Sequence, residues 1–175
     1  FLLTRGQYNQ NGTQFGFYGV MGPDEFEVMV NHNAYTNFMA KKSLDYLLGL
    51  LENPVYQNAA ILKKYPDIEA IKSKAAKASA CMKILYDPAT KLFEQHEGFF
   101  DLPHIDVDAI PVTDFPLYSH WSYDRIYRND MIKQPDVLMF MFLYPHDFSK
   151  EQLKANYEYY EPRCIHESSL SPSIH

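Results

Sequence analysis

Three clusters in this sequence have residue types and spacings suited to chemistry. The first is Gly22-Pro23-Asp24-Glu25, followed closely by Asn33-Ala34-Tyr35-Thr36-Asn37. Gly-Pro makes a tight, rigid turn that can hold the next carboxylates in a fixed direction. Two adjacent acids beside Val20, Met21 and Phe26 are expected to repel each other and to be partly desolvated. Either effect moves a carboxylate toward the range of a proton donor. The same local pattern also fits a solvated acidic turn ahead of a helix. The second cluster, Ile132-Lys133-Gln134-Pro135-Asp136-Val137, sets a cation beside an amide. Such a pair can hydrogen-bond several sugar hydroxyls, and it equally fits a capped, solvated helix end. The third runs from Tyr160-Glu161-Pro162-Arg163 to His166-Glu167-Ser168-Ser169-Leu170-Ser171. Here a histidine, neighbouring serine hydroxyls and loop amides can surround an anion such as phosphate, although a Ser-rich loop after a helix is the plainer local reading.

Other common chemistries lack their signatures. The histidines show no HExxH spacing, and His96, His104, His120 and His146 read as hydrogen-bonded loop residues rather than metal ligands. There is no GxxxxGK or GxGxxG nucleotide loop and no GxSxG elbow. No metal is therefore expected.

The elements that must position these clusters are mostly helical. Phe38, Met39, Leu44, Leu47, Leu48 and Leu51 recur at helical spacing and predict a helix over 34–52, ended by Asn53-Pro54. Pro66-Asp67 opens a second predicted helix over 66–86, with Asp67 and Glu69 at the positive end of its dipole. Residues 1–33 read as loop, and 90–123 as a long irregular stretch with one short strand near Leu92–Glu94. A helical pattern covers Tyr123 to Tyr144, with Pro135 marking a start or a kink. Ser149-Lys150-Glu151-Gln152 is a capping box for a helix reaching Tyr160, closed by Pro162. The fold class expected is all-α.

Composition narrows the class further. The chain has 175 residues, a net charge of −6 and 46% hydrophobic residues, so it can bury a core and carries no basic face for nucleic acid. Its longest apolar run, Val137 to Tyr144, is too short to span a bilayer. Cys81 and Cys164 lie far apart without a CxxC partner, which suits free thiols in a reducing, cytoplasmic setting. The 15% of aromatic residues suits sugar recognition as well as core packing.

Taken together and in order, the clusters resemble glycoside hydrolase family 65, the inverting disaccharide phosphorylases. That family runs G-P-D-E, N-A-Y-T-N, K-Q-A-D-V, Y-E-P-R and H-x-S-S-L-S. This chain matches at Gly22–Glu25, Asn33–Asn37, Lys133–Val137, Tyr160–Arg163 and His166–Ser171, with Pro135 in place of alanine and Phe26-Glu27 where many members have Tyr-His. The resemblance implies an (α/α)6 barrel, two rings of helices with the active site on loops at one end. Residues 1–175 would be an incomplete central catalytic (α/α)6 barrel domain of a larger chain, inactive alone and with apolar helix faces exposed. It implies Glu25 as general acid, Lys133 and Gln134 as contacts to the glucosyl unit, and His166, Ser168 and Ser169 in a phosphate-binding loop. It further implies a disaccharide and inorganic phosphate as partners, no cofactor, and a homodimer for the full-length protein.

The Phe-Glu-Val-Met-Val-Asn-His-Asn version of the first cluster looks nearest to maltose phosphorylases. The expected reaction is maltose plus phosphate to β-glucose 1-phosphate and glucose. A phosphorylase needs only the acid, since phosphate is already a nucleophile, whereas an inverting hydrolase also needs a base. The rival readings are such a hydrolase, with Asp24 or Glu27 as base, and a non-catalytic sugar-binding helical module.

Overall fold

The computed structural model describes residues 1–56, 60, 62–169 and 171. They form two units, residues 1–18 with 36–83, and residues 19–35 with 84–175.

In the first unit, one helical turn, α1 (Leu2–Arg5), leads into a hairpin of β1 (Gln7–Tyr8) and β2 (Phe15–Gly16), with Gln7 opposite Gly16 and Tyr8 opposite Phe15. Asn9 closes the hairpin loop: its Oδ1 accepts the backbone N–H of Thr13 and of Gln14 at 2.9 and 3.1 Å. The helix α2 (Ala34–Glu52) coincides with the predicted one and stops before Asn53-Pro54. Its first two residues belong to the second unit.

The helix α3 (Ile68–Ala80) is shorter than the 66–86 that periodicity predicts. Pro66 and Asp67 precede it, and Asp67 is the N-cap. At its other end the backbone is claimed by a different partner. Phe15 donates its N–H to Cys81 O, and Lys83 donates to Phe15 O, both at 2.8 Å. That bridge between Phe15 and Met82 needs extended backbone, so the helix ends although Met82 fits its apolar stripe. Phe15, Phe17, Phe38, Leu44, Ala75, Ala78 and Met82 are buried in this unit, each large one contributing about 1.5–3 kcal/mol. Asn37 joins them as a buried clip, accepting the Phe17 N–H at 3.2 Å and donating to Lys83 O at 2.7 Å.

The second unit carries the motif clusters except Thr36 and Asn37, which belong to the first. The strand expected near residues 92–94 is β4 (Leu92–Phe93), which pairs with β3 (Tyr86–Asp87) across the Asp87-Pro88 turn. Single 3-10 turns at Phe99–Asp101, Val107–Ala109 and Val112–Asp114 hold the long irregular stretch together, ahead of α4 (Leu117–His120) and α5 (Tyr123–Ile126). The helical pattern over 123–144 is broken: α6 (Asp136–Leu143) starts only after Pro135. Proline pushes Gln134 out of helical conformation, and Ile132 is committed to extended pairing with Cys164. Finally α7 (Lys150–Tyr160) has the predicted capping box, in which Ser149 Oγ accepts from Gln152 N at 3.2 Å and Gln152 Oε1 accepts from Ser149 N at 2.9 Å.

Two apolar clusters support this unit. Phe93, Phe140 and Phe148 stack edge to face or tilted, and the buried Tyr160 donates its hydroxyl to Phe93 O at 2.5 Å. Phe26, Ile110, Leu117, Trp121, Ile126 and Met131 form the other, with Ile165 packed against it. Its members Phe26 and Met131, and Ile165 packed against it, are chain neighbours of Glu25, Ile132 and His166. This core therefore sits beneath all three clusters. The chain is mostly helical, and no described helix is long and apolar enough to cross a membrane.

Candidate active site

The segment Ile132–Asp136 is where the three clusters meet. On one side it pairs as extended backbone with the third cluster: Ile132 N donates to Arg163 O, and Ile165 N to Ile132 O, both at 3.0 Å. On the other it is bound to the turn of the first cluster. Lys133 N donates to Asp24 Oδ1 at 3.0 Å, the Lys133 ammonium contacts Glu25 Oε2, and Gln134 Nε2 donates to Pro23 O. In the opposite direction, Asp136 Oδ1 accepts the Asp24 N–H at 2.7 Å.

The structure thus brings Glu25, Lys133 and Gln134 together, but it redistributes their surroundings. Of the two adjacent acids expected to be partly desolvated, only Asp24 is. Asp24 is fully buried, whereas the Glu25 side chain is 56% exposed and Lys133 17%. The reason is directional: Phe26 turns into the core, Met21 stays exposed, and Val20 is spent in a backbone bridge to Val30. Gln134 is also buried, and its amide holds the turn that carries Glu25.

Beneath Glu25, Asp24 and Glu27 join a cluster of buried polar groups, Asn33, Gln95, His96 and Asp136, whose roles here the sequence did not indicate. Asp24 Oδ1 accepts from Phe26 N at 3.2 Å as well as from Lys133 N, and Asp24 Oδ2 accepts from Gln95 Nε2 at 2.8 Å. Asp136 Oδ2 accepts from Asn33 Nδ2 at 2.6 Å. Glu27 Oε2 stands 3.2 Å from His96 Nε2, an ion-pair contact off the angle of a hydrogen bond, while His96 Nδ1 faces Glu97 O at 3.1 Å. Burial, then the charges of Asp136 and Glu27, push the Asp24 carboxyl well above its usual range, against the pull of the Lys133 and Phe26 N–H groups. Burial likewise raises Asp136 to about 7, despite the bonds from Asn33 and Asp24 N. Burial pulls His96 down, but the close contact with Glu27 and its charge outweigh it, so the net shift is upward. Asp24, Asn33 and Asp136 all lie inside the motif clusters, which was the available signal. Gln95 carried none, and His96 read only as a hydrogen-bonded loop residue, which its contact with Glu97 O fits.

Gly22 is required by close approach. A Cβ there would sit 2.1 Å from Asp136 Oδ2 and 2.4 Å from Asn33 Nδ2.

The third cluster reaches the others through backbone pairing. After Ile165 the chain turns at His166, which has left-handed backbone (φ 56°). Its Nδ1 lies 2.8 Å from the buried Ser171 Oγ, and Ser171 Oγ lies 3.3 Å from Cys164 Sγ, which donates to Lys133 O at 3.4 Å. Glu167 anchors the same loop by accepting the Leu117 N–H on both oxygens at 3.0 Å. Ser168 O accepts from Ser171 N at 3.3 Å, Ser169 is exposed, and Leu170 of this motif lies outside the described residues. Among the described residues no three His, Cys, Asp or Glu side chains converge as a metal ion would require. His104 instead faces Asp130, with Nδ1 2.9 Å from Oδ2.

The sequence pattern of the "Glycosyl hydrolase family 65 central catalytic domain" matches residues 1–175. The chain belongs to this family. Among its relatives, the α,α-trehalose phosphorylase of Thermoanaerobacter brockii is 41% identical over 169 residues, which are 93% of this chain and 22% of the relative. The maltose phosphorylase of Bacillus subtilis (strain 168) is 35% identical over 178 residues, 100% of this chain and 23% of the relative. A solved structure, described as a candidate kojibiose phosphorylase from the human microbiome, is 63% identical with a TM-score of 0.95, covering 99% of this chain and 24% of that one. The chain therefore spans about a quarter of the length of the family 65 proteins it matches, and its helices form part of the family's helical barrel domain.

Proposed function

We propose that the full-length family 65 protein catalyses inverting phosphorolysis of an α-linked glucose disaccharide, with Glu25 as its single general acid. The observation that carries this reading is the division among the acids of one turn. Glu25 alone is accessible, whereas Asp24 and Glu27, which a hydrolase would need as base, are buried and held by N–H donors or by His96. A carboxyl buried away from solvent is poorly placed to activate water, and both oxygens of Asp24 already accept hydrogen bonds.

In the proposed reaction the Glu25 carboxylic acid gives its proton to the glycosidic oxygen as the bond from that oxygen to the anomeric carbon breaks. A phosphate oxygen bonds to the same carbon from the opposite face, with inversion. Glucose leaves, and the Glu25 carboxylate is reprotonated from solvent. Lys133, already against Glu25, and Gln134 would contact the glucosyl unit, and His166, Ser168 and Ser169 would hold phosphate. No cofactor takes part. Residues 1–175 would be an incomplete central part of the barrel, in a cytoplasmic homodimer. Maltose is the substrate favoured by the first cluster. Kojibiose is the second reading, favoured by the 63% identical structure.

The test is the full-length protein assayed with phosphate against maltose, kojibiose, trehalose and nigerose. Glucose 1-phosphate should form from one of them, and Glu25→Gln should lower kcat by at least about 10²-fold. Glucose release independent of phosphate would instead establish the hydrolase, and sugar binding without turnover the binding module.

A further inference from the structure

We propose that Asp24 is a positioning residue which, anchored by Asp136, sets the general acid Glu25 against Lys133; this rests on the reading of Glu25 above. The two segments hold each other by reciprocal carboxyl-to-backbone bonds. Asp136 Oδ1 accepts the N–H of Asp24, the residue before Glu25, at 2.7 Å, and Asp24 Oδ1 accepts the N–H of Lys133 itself at 3.0 Å. The remaining oxygens are tied by Asn33 and Gln95, and Gly22 leaves space for this packing. Both aspartates are fully buried, so neither touches substrate; each acts through the backbone of its neighbour. A displacement of about 1 Å between reacting groups can cost about 10²-fold in rate.

The geometry makes a further distinction. What the Lys133 and Phe26 amides need from Asp24 is one acceptor oxygen, Oδ1, and an asparagine side chain in its place supplies it. In Asp24→Asn the second oxygen becomes an NH2 group facing the Gln95 amide. Gln95 Oε1 has no hydrogen-bond partner among the described residues, so turning that amide over gives the new NH2 an acceptor. Position, not charge, is then what Asp24 contributes.

The experiment compares Asp24→Ala and Asp24→Asn in the full-length protein, with kcat and KM measured for the disaccharide and for phosphate. Asp24→Ala should lower kcat by about 10²-fold with the phosphate KM within about threefold, because the acid is misplaced while the phosphate loop keeps its own contacts; the disaccharide KM rises together with the fall in kcat, since Lys133 loses its backbone anchor. Asp24→Asn should recover kcat to within about tenfold of wild type. The proposal is overturned if Asp24→Asn is as slow as Asp24→Ala, if Asp24→Ala keeps wild-type kcat, or if KM rises while kcat holds. Where Asp24→Ala does not fold, Asp24→Asn alone decides, a loss well beyond tenfold overturning the proposal. Glu25→Gln in parallel separates the two readings: if it stays active, the acid assignment fails, whatever Asp24 does.

Discussion

Substituting Gly22 by alanine should be among the most damaging single-methyl additions to this domain. The new Cβ would lie 2.1 Å from Asp136 Oδ2 and 2.4 and 2.7 Å from Asn33 Nδ2 and Oδ1. Neither neighbour is a free side-chain end. They are buried, bonded to each other at 2.6 Å, and Asp136 also holds the Asp24 N–H at 2.7 Å. Relieving the overlap means breaking one of these charge-assisted bonds, about 1.5–3 kcal/mol, on top of an overpacking cost of about 1–3 kcal/mol. A loss of about 2.5–6 kcal/mol is expected from the two together, and kcat should fall with it because Glu25 rides on the displaced turn. Gly49→Ala is the matched control: its Cβ meets nothing within 4 Å at an exposed position of α2, so it should gain about 0.5–1 kcal/mol. Urea unfolding of the full-length variants, followed by circular dichroism and by phosphorolysis rate, reads both. A Gly22→Ala protein within about 0.5 kcal/mol of wild type would refute the close-approach reasoning.

Two more predictions concern stability. The Asp136 carboxyl, raised to about 7 by burial, binds a proton in the folded chain at pH values where the unfolded chain, near about 3.9, has released it. The folded state then holds more protons, so this contribution, about 4 kcal/mol at most, is present at and below pH about 4 and lost as pH rises through about 7. The melting-temperature gap between wild type and Asp136→Asn should accordingly narrow from about pH 5 to about pH 8, and a widening gap would contradict the assignment. Removing the α7 cap with Ser149→Ala should cost about 1 kcal/mol, read as a lower melting temperature with kcat unchanged; no loss would mean that the cap bonds are not formed in solution.

What the sequence determined by itself was local. The apolar spacing and Asn53-Pro54 define α2, Ser149 with Gln152 defines the start of α7, and Pro135 marks a helix start or a kink in the second cluster, of which the structure takes the start. Each rests on interactions within one or two helical turns, which residue order alone specifies. The motif order likewise pointed to the family. Tertiary structure decided the rest. It ended α3 at Ala80 because Phe15, far upstream, takes the backbone of residues 81–83. It also chose which of two adjacent acids is buried. The partners that settle this, Asp136 for Asp24 N and Lys133 N for Asp24 Oδ1, lie 112 and 109 residues away in the chain. Asp24 and Glu25 are adjacent carboxylates on one turn, and only the arrival of those distant groups makes one a buried clamp and leaves the other facing solvent beside Lys133.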